Sequence, residues 1–227
     1  MADTVAEKKK DIPEKGAILQ RDGESYAVAL RMPAGIVTPD QLRRIADVSE
    51  KYNAAALKIS SSQRLVIVGL KEEDIDNVWA DLDMEPGAAI GMCVRSVRIC
   101  PGTTFCKRAK QDSVSLGLKL ESMFHGKPLP CKMKIGVSGC PFSCAEPAVR
   151  DIGFAGDAKG FKLYVGGNAS NSPQVGTLVA EGLNEEQAVE ITGKIIDFVI
   201  RKDSKKRLGR LIDEIGIDTF KAEVGLN

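Results

Sequence analysis

The sequence predicts an α+β chain built from two unlike halves. Three observations lead there. Strand-like and helix-like apolar patterns interleave over residues 25–99, helix-capping residues stand directly ahead of the helical runs, and the second half mixes short apolar runs with paired cysteines before ending in amphipathic helices. Residues 1–22 read as a flexible tail, because Lys10, Pro13 and Gly16 fall in a stretch without apolar periodicity. Over 25–32, Tyr26, Val28, Leu30 and Met32 alternate with smaller residues, the period of a half-buried strand. Thr38-Pro39-Asp40-Gln41 then starts a helix: Thr38 caps, Pro39 suits the first turn and Gln41 bonds back to the cap. Leu42, Ile45, Ala46 and Ser49 give that helix its inward face. Two apolar runs at 55–60 and 64–69, linked by Ser61, Ser62 and Gln63, form a hairpin. A helix over 72–82 places Ile75, Val78, Trp79 and Leu82 on one face. A strand over 90–99 follows.

That order, β-α-β-β-α-β, is the ferredoxin-like split βαβ arrangement, a statement about topology alone. The predicted division is a tail at 1–22, a ferredoxin-like half at 23–90 and a mixed α/β half at 91–227. In the second half, a helix over 103–124 would put Cys106 in its first turns, where the positive end of the dipole favours a thiolate. Strands are predicted at 132–138, 151–155 and 161–165. The run Gly166-Gly167-Asn168-Ala169-Ser170-Asn171 is either a cradle for a carboxylate-bearing cofactor or a plain loop. Asn184 with Gln187 caps a helix striped by Ala188, Ile191, Ile195 and Val199, and a further helix runs over 206–215.

Composition narrows the function classes. The chain has 227 residues, 43% hydrophobic and 28% charged, which suits one large or two small globular domains. Lys plus Arg (32) nearly balance Asp plus Glu (31), so the overall charge predicts neither nucleic-acid nor membrane binding, and any anion site must be local. The N-terminal segment has no apolar core of a signal peptide, and no apolar run is long enough to span a bilayer. A cytoplasmic location is expected, where clustered cysteines are ligands more often than disulfides.

Four of the six cysteines fall in two tight pairs, Cys100 with Cys106 in CPGTTFC and Cys140 with Cys144 in GCPFSC. Two such pairs can surround one iron–sulfur cube. Zinc is the rival, although structural zinc sites usually leave two to four residues between paired ligands and five separate Cys100 from Cys106. Packing is the other rival, since a single free cysteine behaves as a small hydrophobe, which is the reading taken for Cys93 and Cys131. The one histidine, His125, precedes Gly126 at a helix end and reads as a surface or capping residue; its solitude argues against bis-histidine haem and zinc hydrolase sites. There is no phosphate-binding glycine loop, so electrons must come from outside.

From about Ser25 to Glu223 the chain resembles the sirohaem-dependent sulfite and nitrite reductases, in particular the small single-repeat, assimilatory-type sulfite reductases. The resemblance rests on the cysteine order and on three further segments: Leu30-Arg31-Met32-Pro33-Ala34-Gly35-Ile36-Val37-Thr38, Arg95-Ser96-Val97-Arg98-Ile99-Cys100, and Leu129-Pro130-Cys131-Lys132-Met133-Lys134. It implies that Cys100, Cys106, Cys140 and Cys144 bind a [4Fe–4S] cluster and that Cys144 also ligates the sirohaem iron. It implies that Arg31, Arg95, Lys132 and Lys134 bind the oxyanion and supply protons, as a planar guanidinium and a compact ammonium are suited to do, although an arbitrary Lys or Arg is far more often a solvated surface charge. Arg64 and Arg98, with Lys58, Lys107 and Arg108, are candidates for the cofactor's carboxylates. The implied activity is six-electron reduction of sulfite to sulfide; the alternatives are reduction of nitrite to ammonia, or a non-catalytic electron carrier or tetrapyrrole-handling protein. A ferredoxin or flavoprotein donor is implied, and a single repeat could rebuild the two-repeat arrangement as a homodimer. Two positions depart from the family pattern: Ser62 stands where an arginine is common, and Phe142 where an asparagine is frequent.

Overall fold

A computed structural model describes residues 9–226. The chain divides into two compact units, one running up to Met32 and again over Ile36–Ile90, the other comprising Pro33–Gly35 and the chain from Gly91 onward.

The first unit is a four-stranded antiparallel sheet with two helices. Its strands are β1 (Ala17–Leu19), β2 (Tyr26–Ala29), β3 (Ala56–Ile59) and β4 (Leu65–Leu70), in the order β1-β2-β4-β3. Helix α1 (Pro39–Lys51) opens on the expected capping box: Thr38 Oγ1 accepts from the Gln41 amide at 3.1 Å and Gln41 Oε1 accepts from the Thr38 amide at 2.9 Å. Helix α2 (Ile75–Leu82) follows a short 3₁₀ turn at Glu72–Asp74. Tyr26, Val28, Leu30, Ile45, Ile67, Ile75 and Val78 make its core, and the hairpin β3–β4 pairs as expected.

Two expectations for this half change. Residues 1–8 lie outside the described residues, but the rest of the expected tail does not behave as one: Ala17–Leu19 pairs with Tyr26–Val28 on the sheet edge, and Lys15 O accepts from Trp79 Nε1 at 2.8 Å. A three-residue strand is too short to show a period, so the sequence pattern cannot announce it. That strand also fills the edge next to β2 for which the 90–99 strand was expected. Only Arg98–Ile99 of that span is a named strand, and it belongs to the other sheet.

The second unit is built on a five-stranded mixed sheet in chain order: β5 (Arg98–Ile99), β6 (Ile135–Ser138), β7 (Ile152–Asp157), β8 (Gly160–Val165) and β9 (Thr177–Leu183). The β5–β6 and β6–β7 pairs are parallel and the remaining two antiparallel. The parallel step from β5 to β6 needs a crossover, supplied by α3 (Gly102–Phe105) and α4 (Ser113–Phe124). Three helices close the chain: α5 (Glu185–Lys202), α6 (Leu208–Ile215) and α7 (Ile217–Val224). Phe198 and Phe220 meet edge to face at 5.2 Å between centroids and knit α5 to α7. No helix among the described residues is long and apolar enough to cross a membrane.

The continuous helix expected over 103–124 is instead two. Asp112 accepts from the amides of Val114 and Ser115 and caps α4 afresh, a side chain competing successfully with the helical backbone. Cys106 therefore sits at the C-terminal end of four-residue α3 in extended conformation, not in the first turns of a long helix, and the dipole argument for its thiolate falls away. Strand β9 and helix α7 have no counterpart in the sequence reading.

Candidate metal centre and anion-binding residues

Backbone pairing brings the two cysteine turns together within the second unit. Cys100 follows directly on β5, and its amide donates to Val137 O of β6 at 3.0 Å. Gly139, at the end of β6, donates its amide to Cys100 Sγ at 3.1 Å. The amides of Lys110 and Gln111 both donate to Gly139 O, at 2.7 and 3.0 Å, which ties the Cys106 loop to the Cys140 turn. This approach requires glycine: a Cβ at 139 would lie 2.6 Å from Gln111 O. Beyond Cys140, the Ser143 amide returns to Cys140 O at 3.1 Å, and buried Ser138 Oγ accepts from Ala145 at 2.9 Å, so the turn is pinned on both sides of Cys144.

The thiols have the chemistry a cluster would need. None of the six cysteines is in a disulfide; Cys100 and Cys140 are buried, Cys106 half-buried and Cys144 exposed. Cys100 Sγ receives the Gly139 amide and lies 3.2 Å from Ser113 Oγ, the kind of hydrogen bonding that stabilises a ligating sulfur. Among the described residues no three His, Cys, Asp or Glu side chains gather closely enough for a single metal ion; a cube of four irons spreads its thiolates farther apart. Cys93 and Cys131 are buried outside the pairs, and burial pushes the Cys131 thiol up to about 11.

Four of the expected basic residues gather in the same unit. The Val94–Met133 bridge sets Arg95 beside the segment carrying Lys132 and Lys134, with the Arg95 amide donating to Met133 O at 2.9 Å. Arg95 is half-buried and donates from Nη2 to Gly91 O at 2.8 Å; burial lowers its pKa. Lys134 is lowered by burial first, then by the charges of Lys132, Arg150 and Arg207, against the pull of Asp151. Asp151, itself buried, accepts the Lys134 amide at 2.7 Å and both arms of Arg207. Arg98 donates to Glu146 Oε2 at 2.7 Å.

Arg31 and Arg64 belong to the first unit. Arg31 pairs with Glu85. Arg64, expected to reach a cofactor, is buried and donates to Gly87 O, so its guanidinium braces the segment after α2. Lys58, Lys107 and Arg108 are exposed, and Arg108 stands 5.2 Å over the Phe142 ring. Ser62 is half-buried in the β3–β4 link. Asn168 of the 166–171 run exchanges backbone bonds with Gln174 and accepts from Arg207. His125 is the capping residue expected, ending α4 with its amide donating to Glu121 O at 3.1 Å, but it is not on the surface: its side chain is 9% exposed and its Nε2 lies 3.7 Å from Glu121 Oε1, while Glu121 Oε2 accepts the Val97 amide at 2.7 Å. Sequence reasoning passed over Glu146, Arg150, Asp151 and Arg207: Glu146 meets Arg98 and Asp151 meets Arg207 from far away in the chain, and the local signal is the i,i+4 spacing of Glu146 and Arg150 just after Cys144.

Paired thiols on linked turns and a group of half-buried cations on the same mixed sheet point to a class: an α+β redox protein of the iron–sulfur kind that handles anions. The chain belongs to the nitrite and sulfite reductase family. The model described as "Nitrite and sulphite reductase 4Fe-4S domain" matches residues 90–227, and that described as "Nitrite/Sulfite reductase ferredoxin-like half domain" matches residues 18–85, starting inside the expected tail. The chain is 41% identical over 212 residues to an assimilatory-type sulfite reductase of Nitratidesulfovibrio vulgaris, covering 92% of this chain and 97% of that one. It is 40% identical over 182 residues to nitrite reductase [NAD(P)H] of Bacillus subtilis, covering 80% of this chain and 22% of that one. Among solved structures, Mycobacterium tuberculosis NirA protein shares the fold at a TM-score of 0.78 with 21% identity, over 96% of this chain and 43% of that one. Dissimilatory sulfite reductase I shares it at 0.77 with 17% identity, over 89% of this chain and 69% of that one.

Proposed function

We propose that the chain reduces sulfite to sulfide with six electrons, using a [4Fe–4S] cluster held by Cys100, Cys106, Cys140 and Cys144 and a sirohaem that shares the Cys144 thiolate. One observation carries this reading: a single compact unit holds both linked cysteine turns and the Arg95, Lys132 and Lys134 group. The near full-length correspondence with an assimilatory-type sulfite reductase supports sulfite as the substrate. The nitrite reductase relative at almost the same identity makes nitrite, reduced to ammonia, the second substrate to test. When bound, the two centres supply electrons singly and an iron that holds the anion. The chain's own residues do the rest. Arg95 grips oxyanion oxygens with its planar fork, a task to which the guanidinium of Arg31 is equally suited. Lys134, whose pKa is lowered by burial and neighbouring cations, gives up its Nζ proton more readily to an oxygen leaving as water, and Lys132 adds positive charge. Arg98 is assigned to the cofactor's carboxylates; Arg64 is given a structural role.

The electron donor is read as an acidic one-electron carrier such as a ferredoxin. Lys107, Arg108 and Lys110 are exposed around the Cys106 loop and, among the described residues, have no carboxylate within ion-pair distance, and Phe105 is 68% and Phe142 70% exposed beside the proposed cluster ligands. A reducing cytoplasmic setting suits unpaired thiols. A homodimer is also proposed, supported by edge strand β3, exposed along its whole length with Ile59 75% exposed. The test of the activity is the visible spectrum of anaerobically purified protein with iron and acid-labile sulfide counts, followed by a reduced-dye assay with sulfite and nitrite. Sirohaem bands, about four cluster irons and turnover support the reading. Cluster absorption alone makes the chain an electron carrier, and a colourless zinc protein overturns both.

A further inference from the structure

Arg150, six residues past Cys144, is the most confined cation near the centre. Its side chain is only 11% exposed; Nη2 donates to Glu146 Oε2 at 2.8 Å, and Nε has no hydrogen-bond partner among the described residues. The same Glu146 oxygen takes the Arg98 guanidinium, so one carboxylate oxygen serves two arginines. The fold reserves room for this side chain: a Cβ on Gly136 of β6 would lie 2.9 Å from Arg150 Cγ, while Gly167 lets the backbone of Arg150 approach, since a Cβ there would lie 2.7 Å from the Arg150 amide nitrogen. Around it stand Arg98, Lys134 and Arg207, while Asp151 is already engaged by Arg207 and by the Lys134 amide. Four cations therefore face two carboxylates in a half-buried place, and one of those carboxylates is taken. Burying unbalanced charge is costly, so such a cluster is suited to an occupant carrying several negative charges.

We propose that Arg150 binds a carboxylate of the acidic tetrapyrrole next to Cys144, and that Glu146 is a stand-in carboxylate which holds the Arg98 and Arg150 forks until the cofactor's own carboxylate replaces it. The proposal rests on the sirohaem reading above and adds to it a binding residue and an exchange of partners. The exchange is ionic: no bond to carbon forms or breaks, and Glu146 moves from two guanidiniums to solvent, which its half-exposed side chain permits.

The test is sirohaem content per cluster in protein co-expressed with sirohaem synthesis and purified anaerobically, read from the absorption bands with iron and sulfide counts. Arg150→Gln should lose a charge-assisted bond and weaken sirohaem retention on the order of tenfold or more while keeping the cluster. Arg150→Lys, which keeps the charge but not the fork and serves if the Gln variant folds poorly, should fall between. Glu146→Gln should keep both centres and hold sirohaem at least as tightly as the parent, because a competing carboxylate has gone. Full sirohaem in both Arg150 variants, or joint loss of cluster and sirohaem in Glu146→Gln, would overturn the proposal; the latter would make Glu146 a clamp on the cysteine loop. Parent protein with a cluster and no sirohaem overturns this proposal and the functional reading together, whereas sirohaem retained by both parent and Arg150→Gln overturns this proposal alone.

Discussion

Lys134 shows what gathering cations in a half-buried place costs the fold. Its folded pKa lies below that of an exposed lysine, so at neutral pH its charge works against the fold, and the penalty fades as pH rises through the lowered folded value toward the unfolded one. Lys134→Gln should therefore raise the melting temperature of the cofactor-free protein at pH 7, by a margin that shrinks toward pH 10, while cutting sulfite turnover severely. A lower melting temperature at pH 7 would refute the electrostatic account. Cys131 makes a second residue-scale case: with its thiol raised to about 11 by burial, it should resist alkylation at pH 8 in folded cofactor-free protein, while exposed Cys144 reacts. Peptide mass mapping decides that. The four paired thiols were legible because cysteine spacing is local and chemically distinctive. Arg150 was not, because nothing about one arginine in a loop reveals that Arg98, 48 residues away from Glu146, will share its carboxylate.

Elements were legible where their signals are local. The capping boxes at Thr38 and Asn184 are both as read, since three-residue reciprocal bonding needs no tertiary context. Asp112 is the instructive failure. An aspartate after Gln111 inside an apolar-periodic stretch is itself a helix-start signal, and there the cap prevailed over the periodicity. Asp112→Ala should cost about 1 kcal/mol of stability and loosen the loop that carries Cys106, visible as a lower melting temperature with faster loss of cluster iron to a chelator; unchanged iron release would detach the cap from the centre. Strand β9 was hidden because Gly182, at φ 70°, and register shifts in its pairing with β8 interrupt any alternation. Helix α7 was hidden because eight residues after Gly216 carry little more than two turns of pattern.

For the whole molecule, the proposed dimer and donor face make separate demands. Native mass should show two copies, and Ile59→Lys on the exposed β3 edge should return one; a parent that runs as a monomer with full activity refutes the dimer. Reduction by an acidic carrier should slow steeply as salt rises, and neutralising Lys107 with Arg108 should flatten that dependence, because exposed charges are screened over about 8 Å at physiological ionic strength. The same edge strand that corrected the expected tail has a further meaning in time. Because β1 comes from ahead of β2, every strand of the first sheet lies at or before Leu70, and every paired cysteine lies beyond Ile99. A ribosome working from the N-terminus thus makes every strand of the first sheet before it makes the first thiol of the proposed centre. The first sheet therefore needs nothing from the cysteine segments to complete its pairing, and it can form ahead of any loading of the second half.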